Sequence, residues 1–126
     1  MKNLKRAAVL TAAVAMASAT LGAGTAVAAP STGTVKLCAD GNYSVRVELP
    51  TMNSPLVTPG SCRSWKVSTG PTFVPVRVVG KFNTSTNMFH IDTYYWTSSP
   101  GWLGLGIHAG GTTANGGQGA WSYLES

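Results

Sequence analysis

Turn-forming residues interrupt this chain about every ten residues from Pro30 onward, and their spacing decides which elements can form. Asp40-Gly41, Pro59-Gly60 and Pro100-Gly101 are dipeptides that favour tight turns. An amphipathic helix needs roughly ten residues or more with a 3.6-residue apolar period. No stretch of that length between these breaks has this period without containing Gly or Pro. The sequence therefore predicts short β-strands joined by turns in this part of the chain.

Between the breaks, apolar and polar residues alternate with the two-residue period of a strand. The alternation is clearest from Tyr43 to Leu49. A longer strand is predicted from Phe73 to Phe82, and because Pro75 cannot donate to a ladder, this strand should lie at an edge or carry a bulge. In the strand predicted from Met88 to Trp96, alternation places four residues on one face: Phe89, Ile91, Thr93 and Tyr95.

The count of such segments predicts the fold class. About seven or eight short strands with regular turns indicate an all-β domain, a small antiparallel β-sandwich of the immunoglobulin-like or Greek-key type. Cys38 and Cys62 are the only two cysteines, and outside the cell an even count predicts a disulfide. Metal ligation by the two thiols is disfavoured, because the chain has no CxxC motif and no spaced histidine pair.

The first residues have the three parts of a secretory signal. A short basic region with Lys2 and Lys5 precedes an uncharged, Ala-rich stretch, and Ala26-Val27-Ala28 matches the A-x-A cleavage pattern. The predicted organisation is a signal peptide at 1–28, a flexible leader at 29–33 and one β-sandwich domain at 34–126. The sequence thus predicts a secreted, extracellular product with no membrane insertion after processing.

Removal of this signal changes the charge of the chain. The whole sequence has a net charge of +5, and losing three of nine basic residues while keeping all four acidic ones leaves +2. No basic cluster remains that would follow a phosphate backbone, so nucleic acid is not an expected partner.

Residues with catalytic chemistry are few and scattered. His90 and His108 are the only histidines, and a Ser-His-Asp set built from His108 and Asp92 has no specific motif behind it. A carboxylate pair would need two of four dispersed residues to converge: Asp40, Glu48, Asp92 and Glu125. We therefore predict no catalytic residue, no metal site and no cofactor.

Two segments have residue types suited to binding. Aromatic side chains flanked by small polar residues form a candidate exposed surface at Tyr94, Trp96 and Trp102, although core packing is the alternative for Trp65, Trp102 and Trp121. The leader with the start of the first strand could pair with a partner groove. Those candidate residues are Pro30, Ser31, Thr32, Gly33, Thr34 and Val35.

Three segments together resemble a known group of proteins. They are Val35 to Tyr43 (VKLCADGNY), Pro59 to Cys62 (PGSC) and Val78 to Ser85 (VVGKFNTS). They resemble small secreted Streptomyces-type proteins with one disulfide, among them the UmbB adaptor subunits of umbrella toxin particles. The resemblance implies a non-catalytic connector between a lectin subunit of trypsin-like fold and a large repeat-containing toxin subunit. It also implies that the N-terminal segment, here about Ala29 to Val35, docks in a cleft of the trypsin-like subunit.

These observations favour a secreted protein-binding module, and the resemblance points to an adaptor in an antibacterial toxin complex. Two alternatives remain. One is an inhibitor of secreted proteases or other hydrolases, with the Cys62-Arg63 segment or the leader in the enzyme's cleft. The other is a carbohydrate-binding module that uses Trp96 and Trp102.

Overall fold

The computed structural model describes residues 29–125, so the predicted signal peptide and Ser126 lie outside the described part. These residues form eight strands and one short 3₁₀ turn, at Asn115–Gly117. The strands are β1 (Thr34–Ala39), β2 (Ser44–Leu49), β3 (Met52–Asn53), β4 (Cys62–Lys66), β5 (Val74–Lys81), β6 (Met88–Trp96), β7 (Leu105–Gly111) and β8 (Ala120–Leu124). Within the described residues no helix is long and apolar enough to cross a membrane.

The strands form two packed sheets of four, which confirms the predicted β-sandwich. The front sheet has the order β4-β1-β7-β8 and the back sheet the order β3-β2-β5-β6. Every pair is antiparallel except β1 and β7, which run parallel. This parallel pair joins segments far apart in the sequence, and Cys38 lies opposite His108.

The apolar positions of the alternating strands face each other between the sheets. Val35 and Leu37 of β1 are fully buried, as are Val45 and Val47 of β2. Tyr43, just before β2, is also fully buried, and its hydroxyl donates to the Gly110 carbonyl oxygen at 2.7 Å. Burial of apolar surface of this kind contributes about 25 cal/mol per Å² and is the main stabilising term of such a domain.

The predicted disulfide is confirmed. Cys38 and Cys62 lie directly opposite each other on β1 and β4, and they are bonded. In antibody domains the conserved disulfide joins the two sheets. Here the bond stays within the front sheet and ties its exposed edge strand, β4, to its neighbour.

The strand that contains Pro75 is not at an edge, because β5 pairs with both β2 and β6. Pro75 has no N–H to donate, and this is tolerated because the ladder between β5 and β2 ends at the pair of Glu48 and Arg77. Beyond that pair, β2 does not lie beside Pro75. The alternative prediction is a bulge in this strand, but the bulge in this pair lies on the partner strand β6 and not at Pro75. The register shifts between Val78 and Val79, and Ile91 on β6 is left without an opposite residue.

This bulge reverses the faces of β6 after Ile91 and corrects the face that alternation predicted. Phe89 points inward against Gly80, where a Cβ would overlap the phenyl ring. Beyond the bulge, Trp96 lies opposite Val74 and is buried, whereas Tyr95 is 71% exposed. Thr93 and Tyr95 therefore lie on the outer side of the back sheet, opposite to the prediction.

The leader packs against the domain in the structure, whereas the sequence predicts a flexible tail. The Pro30 carbonyl oxygen accepts from the Gly104 N–H at 2.9 Å, and the Gly33 carbonyl oxygen accepts from the Val67 N–H at 2.8 Å. Backbone groups paired in this way are satisfied like those of a strand. The segment thus contacts both the residue just before β7 and the connection after β4.

Candidate functional site

The leader and one predicted aromatic residue lie together at one end of the sandwich. The Thr32 hydroxyl donates to the Trp102 carbonyl oxygen at 2.8 Å. Gly104, two residues further on, donates to Pro30. Two features that the sequence singles out separately, the leader and Trp102, are therefore neighbours.

Three large apolar side chains are exposed beside this contact. Trp102 is 54% exposed and packs edge-on against Phe73, with ring centroids 5.0 Å apart. Leu103 is 67% exposed. We call the surface formed by Thr32, Phe73, Trp102 and Leu103 the leader-end surface. An apolar group of this kind on a small domain is typical of a contact surface.

Trp96 does not belong to any exposed surface, which corrects the prediction. It is 5% exposed, and its indole Nε1 donates to the Leu103 carbonyl oxygen at 3.0 Å. Trp96 thereby holds the loop that presents Trp102. The physical reason for the error is the bulge at Ile91, which turns Trp96 inward.

Tyr94 is also largely inward. Its hydroxyl is 2.6 Å from the Ser122 hydroxyl, which links the edge strands β6 and β8. Burial is the main cause of a raised pKa of Tyr94; the hydrogen bond with Ser122 opposes the rise, and the nearby Asp92 carboxylate adds to it. Of the three aromatic residues predicted to be exposed, only Trp102 is on the surface.

A second candidate site lies on the outer side of the front sheet, where His108 of β7 joins two carboxylates. His108 Nδ1 is 2.7 Å from Asp40 Oδ2, and Nε2 is 2.8 Å from Glu125 Oε1. Lys36 of β1 donates to the same Glu125 oxygen at 3.0 Å. We call Lys36, Asp40, His108 and Glu125 the front-face network.

Glu125 is the most buried member of this network, with its side chain 4% exposed. Burial alone would raise the pKa of Glu125, but the hydrogen bonds and charges of Lys36 and His108 together outweigh it and hold the pKa below its usual value. The other oxygen, Oε2, is buried and has no hydrogen-bond partner among residues 29–125. It lies close to Gly106, next to the ring of Pro30 in the leader.

Aromatic rings border the network on β8. Tyr123 lies parallel to the His108 ring, with centroids 4.9 Å apart and an interplanar angle of 6°. Trp121 follows at 5.8 Å from Tyr123. Both β8 residues are about half exposed. The outer side of the front sheet thus has aromatic and charged side chains in direct contact.

The front-face network does not form the Ser-His-Asp set considered from the sequence. Asp92 lies on β6 in the other sheet, where its carboxylate is near Ser122. Both nitrogens of His108 are engaged by carboxylates, so in this arrangement neither is free to accept a proton from a nucleophile. Cys38 Sγ lies near His108 and Glu125, but it is bonded to Cys62 and has no thiolate to offer a metal.

Sequence reasoning missed that Asp40 and Glu125 converge. In the sequence Asp40 belongs to an Asp-Gly turn dipeptide, and Glu125 is 85 residues further on. The parallel pairing of β1 with β7 and the pairing of β7 with β8 bring them to one histidine. The alternation of apolar and polar residues indicates which side chains of a strand point outward. It does not indicate which strands are neighbours.

Comparison with known proteins adds no family assignment: no protein-family model matches the chain, and no curated protein matches it.

Proposed function

We propose that the chain is a secreted, non-catalytic protein-binding module whose contact surface is the leader-end surface. The observation that supports this most directly is the hydrogen bond between Thr32 and Trp102. It joins the segment suited to partner binding and the exposed aromatic side chain into one continuous area.

The chemistry of this surface suits recognition of a protein. Trp102 and Phe73 have large rings with few rotamers, so ordering them on a partner costs little conformational entropy. Trp96 fixes the loop beneath them through its bond to Leu103. A surface held in place before binding loses less affinity to ordering than a mobile loop does.

The more specific proposal is an adaptor role. The resemblance to umbrella toxin adaptors supports a place between a lectin subunit of trypsin-like fold and a large repeat-containing toxin subunit, in the extracellular medium. The Cys38–Cys62 disulfide is compatible with that compartment. The predicted signal peptide supports the same location.

The test is capture of partners from culture medium by the tagged secreted protein, followed by mass spectrometry. Trp102→Ala should remove the captured partner. Tyr95→Ala is the matched control, because Tyr95 is equally aromatic and more exposed but lies on the outer side of the back sheet. Equal loss with both variants, or with neither, would remove the leader-end surface from consideration.

The identity of the captured protein separates the candidate functions. A lectin together with a large repeat protein supports the adaptor, whereas a single protease or other hydrolase supports the inhibitor. The carbohydrate-binding alternative based on Trp96 and Trp102 is not retained, because Trp96 is buried.

A further inference from the structure

The outer side of the front sheet contains a second site, separate from the leader-end surface. Two glycines of β7 leave room there for an aromatic ring. Gly110 of β7 faces outward next to His108 in the alternation, and Gly111 follows it. A Cβ at either glycine would overlap the indole of Trp121. The ring therefore lies flat across the backbone of these two residues.

A ring in this position has one face against the backbone and the other toward solvent. Trp121 is 49% exposed, consistent with one open face. The backbone beneath it is fixed, because the Gly110 carbonyl oxygen accepts from the buried Tyr43 hydroxyl. Trp121 is thus a supported aromatic platform and not a mobile side chain.

A carboxylate stands beside the platform. Asp40 follows Ala39, which lies opposite Ala109, so Asp40 is placed next to Gly110. Its Oδ2 is held by His108, while Oδ1 has no hydrogen-bond partner among the described residues. The Asp40 side chain is 40% exposed. Asp40 and Trp121 thus lie on either side of Gly110, and one acceptor oxygen of Asp40 is open to a ligand stacked on Trp121.

We propose that Trp121 and Asp40 form a saccharide subsite that takes one pyranose unit of a β-linked glycan with equatorial hydroxyls. Equatorial hydroxyls leave the ring's C–H groups on a flat apolar face, which stacks on an indole. The hydroxyls at the ring edge are donors for the free oxygen of Asp40. The exposed Asp40 carboxylate disfavours an anionic ligand, which argues against phosphorylated or acidic sugars.

The test uses the secreted protein with two soluble probes, cellohexaose and hexa-N-acetylchitohexaose, and follows the indole N–H signals by NMR. The Trp121 signal should shift on titration with at least one probe, and the Trp102 signal should not. This readout needs no variant, so it does not depend on whether a substitution folds. No shift of Trp121 with either probe at millimolar concentration would overturn the proposal.

Variants then test the two roles. Trp121→Ala and Asp40→Asn should each weaken binding by roughly tenfold, which corresponds to about 1.4 kcal/mol. Trp102→Ala is the control and should bind the sugar normally. If Trp102→Ala abolishes binding while Trp121→Ala does not, the sugar site lies elsewhere.

A shift of the Trp121 signal that depends on protein concentration and not on sugar would overturn the proposal and indicate a second copy of this chain on the front face.

Discussion

Glu125 keeps its charge although its side chain is almost completely buried. Ionisation of a buried carboxyl is unfavourable unless nearby groups compensate. Lys36 and His108 do so, and the pKa of Glu125 falls below the ordinary value of 4.5. Because the folded pKa is lower than the unfolded one, the carboxylate stabilises the fold at pH values above 4.5. That stability is lost as the pH falls through the folded pKa.

The first prediction follows from this carboxylate. Glu125→Gln should lower the free energy of unfolding by about 1–3 kcal/mol at neutral pH, because a charged acceptor of two hydrogen bonds becomes a neutral amide. The deficit should shrink as the pH falls below 4.5, because the unfolded wild-type chain then takes up a proton that the folded carboxylate resists. Urea denaturation at pH 7 and at pH 3 measures both effects.

Glu48→Gln is the control for that measurement. Glu48 pairs with Arg46 and Arg77 on the outer side of the back sheet and is more exposed than Glu125. Its arginine partners are 30% and 50% exposed, and ion pairs near the surface contribute about 0–1 kcal/mol, so this variant should cost less than Glu125→Gln. Equal effects of the two substitutions would show that the front-face network has no special contribution.

Tyr43 gives a prediction at the alkaline end. Burial raises the pKa of Tyr43 to about 12, so its hydroxyl remains protonated in the fold while the unfolded chain ionises near pH 10. Stability should therefore fall as the pH rises above 10. Tyr43→Phe should weaken this dependence and leave only the part due to Tyr94, whose pKa is also raised. The variant should cost about 1–3 kcal/mol at pH 7, because the buried Gly110 carbonyl loses its donor. Thermal melts across pH 8 to 11 test it, and an unchanged alkaline slope in the variant would contradict the assignment.

At the scale of elements, the sequence predicts the existence of β6 correctly but not its faces. Alternation is a local pattern. The extra residue Ile91 reverses which side chains face the core, and no turn or glycine residue in the sequence indicates this bulge. The bulge depends on the register with β5, which only the assembled sheet determines. For the same reason alternation places Tyr95 on the face of Phe89 and Trp96 on the opposite face, whereas the structure has the reverse. The strands without a bulge, such as β1 and β2, have the buried faces that the sequence predicts.

The corrected faces of β6 lead to a direct test. Trp96→Ala should destabilise the domain by about 3–5 kcal/mol, because a buried indole leaves a cavity. Tyr95→Ala should change stability by less than about 0.5 kcal/mol, as expected for an exposed side chain. The comparison of the two denaturation midpoints decides between the faces. A larger loss from Tyr95→Ala would restore the face predicted by alternation.

In the candidate sites, too, features that depend on local residue types could be predicted, and features that depend on strand pairing could not. The cysteine pair could be predicted from the sequence, since it depends on residue type and compartment. For Trp102 the sequence leaves both core packing and exposure open, and the structure has it exposed. The convergence of Asp40 and Glu125 on His108 could not, because it depends on which distant strands pair.

The disulfide supports an element that has few other contacts. β4 is an edge strand, and most of its residues are exposed. Loss of the bond in the Cys38→Ser, Cys62→Ser double variant should cost about 2–5 kcal/mol. Amide hydrogen exchange should increase first in β4 and later in β1, which has a strand on each side. Equal acceleration in both strands would indicate that the bond stabilises the whole sheet uniformly.

For the whole molecule, the leader connects the two candidate sites. Thr32 reaches the leader-end surface, and the ring of Pro30 lies over Gly106 beside the buried Glu125. A change in the leader should therefore alter the fold as well as partner capture. This differs from the expectation for a free tail, whose removal would leave the melting temperature unchanged.

Deletion of residues 29–33 tests this dual role. The deletion removes the acceptors of the Gly104 and Val67 N–H groups and uncovers Glu125. We expect a loss of about 1–3 kcal/mol, and each kcal/mol should lower the melting temperature by roughly 4–8 °C in a domain of this size. Thr32→Ala is the matched control, since it removes only the side-chain bond to Trp102 and should change the melting temperature little while weakening capture. An unchanged melting temperature after deletion would show that these contacts contribute no stability, and the leader would then act only through a partner.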